Sequence, residues 1–188
     1  MHDRSWKTIV LLLVVVMALA FPAPGDAAEQ WRDKDPSVRL VKDGAYLNLL
    51  CTAIAGAKNE IVMTFFLFKT TGHAEGAPDR VVGRLAEARE RGVHVRVILE
   101  RSNERKSAVD GANEETAKIL KEKGISVTFD SPAVTTHVKA VVIDRRYVFL
   151  GSHNMTNSAL KYNRELSVFV DSTALAEEML AYLNGSAG

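Results

Sequence analysis

The chain has one cysteine, five prolines and a net charge of only +1 over 188 residues. A lone cysteine excludes an internal disulfide framework. Cys51 falls at helical spacing with Leu47, Leu50 and Ile54, the place of a small buried apolar side chain. With 24 basic against 23 acidic residues, the chain lacks the general basic footprint of a polyanion-coating protein. Any polyanion has to be held by a local patch. Internal repeats and low-complexity tracts are missing too, which excludes solenoid and linker architectures. What is present, 47% hydrophobic and 25% charged residues, is the composition of one ordinary globular domain.

Long apolar runs are scarce, with one exception. A head carrying Arg4 and Lys7 precedes an unbroken apolar run from Ile9 to Ala20, and small residues with prolines follow to Ala28. That order is the n-region, h-region and cleavage region of an export signal, with cleavage expected after Ala27 or Ala28. The run is shorter than the roughly 20 apolar residues of a spanning helix. An uncleaved anchor is the alternative. Residues 1–28 are therefore set apart from residues 29–188, and a periplasmic or secreted location is expected. The leader holds two basic and two acidic residues, so its removal leaves the charge balance unchanged.

Along residues 29–188 strand and helix periods alternate. Val38 to Val41 predicts a short strand and Gly44 to Ala57 an amphipathic helix. Glu60 to Phe68 is a nearly continuous apolar run suited to a strand covered on both faces. Pro78 suits the first turn of a helix that Gly92 stops, and Val93 to Leu99 is a strand on which His94 takes a solvent-side position. Ser102 to Ala112 is polar and non-periodic, the pattern of a long loop. Glu114 to Lys123 predicts a helix and Ser126 to Phe129 a strand. His137 to Ile143 and Tyr147 to Leu150 read as two strands joined by a tight turn at Asp144, Arg145 and Arg146. Glu165 to Val170 is a last strand and Thr173 to Asn184 a closing helix. The alternation implies an α/β fold, a layered α/β/α domain with a mostly buried mixed β-sheet.

One constellation carries chemistry. His137 and Lys139 are two residues apart on an expected strand, so their side chains share a face and converge on one anion. Ser152 and Asn154 repeat that spacing after Gly151, and Thr156 is placed to cap a following helix. Imidazole suits nucleophilic and acid–base work near neutral pH. Lysine, hydroxyl and amide donors suit charge on phosphate oxygens. At average composition, His-x-Lys-x(4)-Asp arises by chance about once in a hundred such chains, and Gly-Ser-x-Asn at one fixed distance is several thousandfold rarer.

The run His137, Lys139, Asp144, Gly151, Ser152 and Asn154 resembles the HKD signature of the phospholipase D superfamily, and Glu165 falls where that family carries its acidic partner. The resemblance covers essentially residues 29–188 and is strongest toward the small single-motif bacterial nucleases. It implies that His137 attacks phosphorus and forms a phosphohistidine. It also implies that Lys139, Ser152 and Asn154 hold the phosphate oxygens, that Glu165 orients His137, and that Asp144 is largely structural. No metal and no cofactor is implied, and His73, His94 and His153 lack ligand spacing. His153 is expected at the surface beside the motif, with a substrate contact as the lesser alternative. Arg101 is either a phosphate contact or a solvated surface side chain, the second being the simpler reading.

Larger members carry two such motifs and this chain has one. A homodimer completing the active site across a two-fold axis is therefore expected. The expected substrate is DNA, with RNA second, cut without sequence preference because phosphate contacts carry no sequence information. A phospholipid such as phosphatidylcholine or cardiolipin is the alternative substrate. A non-catalytic nucleic-acid-binding protein on the same scaffold is the alternative from another class.

Overall fold

The computed structural model describes residues 37–102 and 107–186. The export-signal reading of residues 1–28 lies outside them. The described elements run β1 (Ser37–Lys42), α1 (Ala45–Gly56), β2 (Glu60–Phe65), α2 (Ala77–Glu90), β3 (His94–Leu99), α3 (Ala108–Glu122), β4 (Ser126–Phe129), β5 (Lys139–Ile143), β6 (Tyr147–Gly151), α4 (Asn157–Lys161), β7 (Leu166–Asp171) and α5 (Thr173–Ser186).

Seven strands form one mixed sheet in the order β1-β7-β6-β5-β2-β3-β4. β2, β3 and β4 are parallel, and every other pair is antiparallel. The apolar stripe Leu47, Leu50, Cys51 and Ile54 of α1 packs on one face together with Val81, Leu85 and Ala88 of α2 and Leu120 of α3. Ala176, Leu180 and Leu183 of α5 cover Val62, Val142, Val148 and Val170 on the other face. The result is the layered α/β/α domain that the alternating periods imply.

Three of the boundaries that differ from the sequence expectation do so for a physical reason that bears on the site. β2 ends at Phe65 instead of Phe68, and the backbone N–H of Phe66 donates to the Val138 carbonyl (3.1 Å). Phe68 leaves the ladder to fill the core, its N–H taken by the Asn113 side chain (2.9 Å). Because β2 ends there, β5 starts at its partner Lys139, and His137 precedes the strand. The stretch Ser102 to Ala112 is not one long loop, since α3 already begins at Ala108 with the Ser107 hydroxyl accepting the Asp110 N–H. Its first turns look polar because they face backbone: the buried Asn113 donates to the Phe66 and Glu100 carbonyls, both at 2.9 Å. Residues 103–106 lie outside the described residues.

Asp144 and Arg145, with φ of 53° and 54°, are the central residues of the three-residue β5–β6 connection, closed by the Arg146 N–H on the Ile143 carbonyl (3.1 Å). The Asp144 carboxylate accepts the backbone N–H groups of Lys58 (2.9 Å), Asn59 (2.7 Å) and Glu60 (3.1 Å), tying the α1–β2 connection to the hairpin.

Candidate active site

The site residues come from chain segments that end or begin at one end of the sheet. Lys139 opens β5 opposite Phe65, Ser152 follows the last residue of β6, and Glu165 precedes β7. Gly151 is required there by close approach. A Cβ at that position would lie 2.5 Å from the Leu166 carbonyl oxygen, whose partner is the Ser152 N–H (3.0 Å). After the glycine, Ser152 lines the cleft and His153 turns inward.

His137 is exposed, with its ring centroid 4.6 Å from that of Phe66. The buried Lys139 ammonium reaches back to it, 3.0 Å from Nδ1 and 2.6 Å from the His137 carbonyl. An ammonium only donates, so Nδ1 is the acceptor and the neutral ring carries its hydrogen on Nε2. Burial pushes the Lys139 pKa below the ordinary lysine value, and the Glu165 charge opposes that shift. Upstream, the buried Glu100 carboxylate accepts the Thr136 N–H (2.6 Å) and holds the approach to His137.

Ser152 Oγ donates to Glu165 Oε2 and accepts the Leu166 N–H (3.0 Å). Asn163 donates to the other Glu165 oxygen at 3.1 Å. Asp43, in the left-handed region with φ 48°, clamps Glu165 twice. Its own N–H donates to the Glu165 carbonyl (3.0 Å) and its carboxylate accepts the Glu165 N–H (2.8 Å). Asn154 is different, because its amide oxygen is buried without a partner among the described residues. An unpaired buried oxygen costs about 1–3 kcal/mol, and Thr64 Oγ1 and Thr128 Oγ1 share this state among the described residues.

Two expectations need correction. Within one chain Glu165 bonds Ser152 and Asn163, and no bond joins it to His137. His153 is fully buried instead of at the surface. Its Nε2–H donates to the Asp43 carbonyl (3.1 Å), Nδ1 accepts from Ser167 (2.7 Å), and the ring stacks on Tyr46 at 4.2 Å. Asp144 stands apart from both groups, at the far end of β5 and about 17 Å from Lys139 along the strand.

Burial lowers the pKa of His153, with the hydrogen bond to the Asp43 carbonyl opposing. The unfolded chain gains a proton near pH 6.5 and the folded chain only at lower pH, so stability is lost as pH falls through that window. Urea midpoints of the wild type are expected to fall between pH 7 and pH 5, and those of His153→Gln to fall less steeply. Equal slopes would remove His153 from the acid response.

Arg101 stacks on Phe129 (3.9 Å) and pairs with Glu114 (3.2 Å), the half-solvated surface role. His94 and His73 are exposed. Among the described residues no group of three or more His, Cys, Asp or Glu side chains is placed to hold a metal. The supporting residues Asp43, Phe66 and Glu100 carry no sequence signal, since their partners lie 36 to 122 residues away.

The family described as "Cardiolipin synthase, PLD-like domain" matches residues 50–186, well over half of the chain. The chain belongs to the phospholipase D-like family. A phospholipase D of Rickettsia bellii is 34% identical over 111 residues, covering 57% of this chain and 51% of that protein. Cardiolipin synthase A of Proteus mirabilis is 30% identical over 130 residues, covering 69% of this chain and 25% of that one. The chain thus spans about half the length of the Rickettsia relatives and less of the synthase. Nuc from Salmonella typhimurium, a phospholipase D family member of solved structure, superposes with a TM-score of 0.68 at 25% identity. That match covers 81% of this phospholipase D-like chain and 94% of Nuc.

Proposed function

We propose that the chain is an exported, metal-independent phosphodiesterase that cuts DNA, and RNA second, through a phosphohistidine in a homodimeric active site. The observation that carries this reading is the gathering of His137, Lys139, Ser152, Asn154 and Glu165 at one end of the sheet. The match to nearly the full length of Nuc supports this reading.

In the proposed reaction Nε2 of His137 forms a bond to phosphorus as the bond to the leaving oxygen breaks. Lys139, Ser152 and Asn154 stabilise charge on the non-bridging oxygens. Attack requires the ring hydrogen on Nδ1, so the arriving phosphate has to draw the Lys139 ammonium away from that nitrogen. His137 of a second copy gives its proton to the leaving oxygen and then activates the water that breaks the N–P bond. The carboxylate that Nδ1 needs is not supplied by Glu165 of the same chain, which makes Glu165 of the second copy its candidate partner.

An exposed apolar strip supports the dimer. Val38 and Leu40 on β1, Leu166 on β7 and Leu150 on β6 are 63%, 53%, 53% and 39% exposed. Leu40 and Leu150 stand opposite the same residue, Val168, so they share the face that α5 packs against, on the part of it that the helix does not reach. The strip runs to Ser152, and a two-fold copy laid on it would bring the two sites together. The same strip is the observation that favours the phospholipid alternative, as a lipid contact. In excess chelator, purified protein is expected to cut plasmid DNA and to leave phosphatidylcholine and cardiolipin vesicles intact, and to sediment as a dimer. Lipid turnover with intact DNA would reject the nuclease reading, and an active monomer would reject the shared site.

A further inference from the structure

The cleft of about 520 Å³ that holds Ser152 and Glu165 is also lined by Lys42, Asp43, Arg164 and Leu166. Its acids are already engaged. Asp43 accepts the Glu165 N–H at 2.8 Å, and the Glu165 oxygens take Ser152 and Asn163. Its cations are not: the exposed side chains of Lys42 and Arg164 have no hydrogen bond or ion pair among the described residues. Arg84, Arg101, Arg145 and Arg146, by contrast, each hold a carboxylate. Lys42 stands opposite Leu166 in the β1–β7 ladder and Arg164 precedes Glu165, so the two flank the catalytic groups from adjacent segments.

One phosphodiester is assigned to Lys139, Ser152 and Asn154 in the proposed reaction. A substrate with a single phosphate there leaves Lys42 and Arg164, which line the cleft beside Ser152 and Glu165, without an anion. A polynucleotide strand supplies further phosphates, one per about 3.4 Å of helix axis. We infer that Lys42 and Arg164 form a second phosphate-binding site that grips the phosphate neighbouring the one being cut, which selects polynucleotides over single phosphodiesters. This inference rests on the phosphodiesterase reading of the same site. A membrane of anionic lipids would also present many phosphates, but in a plane. The cations lie at a cleft beside an apolar strip assigned to the second copy, which favours a strand.

The test compares wild type with the double variant Lys42→Gln/Arg164→Gln, and with a charge-matched control, Lys58→Gln/Lys121→Gln, remote from the cleft. Turnover is read on single-stranded DNA and on bis(p-nitrophenyl) phosphate, which has one phosphate. The double variant is expected to lose at least about tenfold more kcat/KM on DNA than on the small diester, while Lys42→Arg retains the DNA activity. Binding of uncleaved DNA in a His137→Asn background is read against salt. The slope of log K on log salt should shrink by about 0.7 for each phosphate contact removed. Equal losses on both substrates, an unchanged slope, or the same losses in the control would overturn the inference. So would loss of binding to phosphatidylglycerol vesicles with DNA binding intact, which assigns the cations to a membrane. A wild type that hydrolyses neither substrate defeats the phosphodiesterase reading instead, and the salt slope still decides the role of Lys42 and Arg164.

Discussion

His137→Asn is expected to lower phosphodiester turnover by at least about 10⁴-fold while leaving the fold intact, since the amide offers hydrogen bonds but no nucleophile. His137 is exposed and its ring contacts are confined to Phe66 and Lys139, so little packing is lost. The shared site makes a second, quantitative expectation. If both copies of His137 act on one phosphate, a dimer of one wild-type and one variant chain is dead. Equal mixing with subunit exchange then halves the activity per wild-type chain, to about one half, from the pairing statistics of a two-fold dimer. Activity per wild-type chain that stays constant on mixing would mean that each copy works alone. Full activity of the variant itself would remove His137 from the chemistry.

Asp144→Ala is expected to act on stability instead of catalysis. The substitution leaves the Lys58, Asn59 and Glu60 N–H groups without their carboxylate, and it puts alanine at φ 53°. Part of the loss is recovered by water, because two of those three hydrogen bonds are exposed. A loss of about 3 kcal/mol follows from the charged hydrogen bonds and the left-handed backbone together. For a domain of this size that is about 6–12 °C in Tm. Asp144→Asn keeps one acceptor oxygen and tolerates the backbone, so it should lose less than half as much. Below the transition, kcat of both variants should stay near wild type. A large fall in kcat at full folding would place Asp144 in the reaction after all.

That contrast shows where the signature is legible from its residues and where it is not. His137, Lys139 and Asp144 read as one unit because a strand presents them at fixed spacing. In space the strand carries Asp144 to the opposite end of the sheet, where it works on backbone donors from the α1–β2 connection. Glu165 was legible as the acid of the site but not its partner, because the partner depends on strand order. With β6 lying between β5 and β7, the same-chain contact is Ser152. His153 looked like a surface residue among polar neighbours. The close β6–β7 contact at Gly151 turns it inward onto Tyr46 and the Asp43 carbonyl. The polar run before Glu114 hid a helix because its early side chains bond buried carbonyls instead of water.

The chemistry-bearing residue types and the α/β class follow from the sequence alone, because they depend on residue identity and on periods of 2 and 3.6 within short windows. Long-range placement was decided only by the tertiary structure. The clamp of Asp43 on Glu165 joins residues 122 apart, and the free cations Lys42 and Arg164 share a cleft only because β1 pairs with β7. No local window contains both members of such a pair, so only sheet register and packing bring them together.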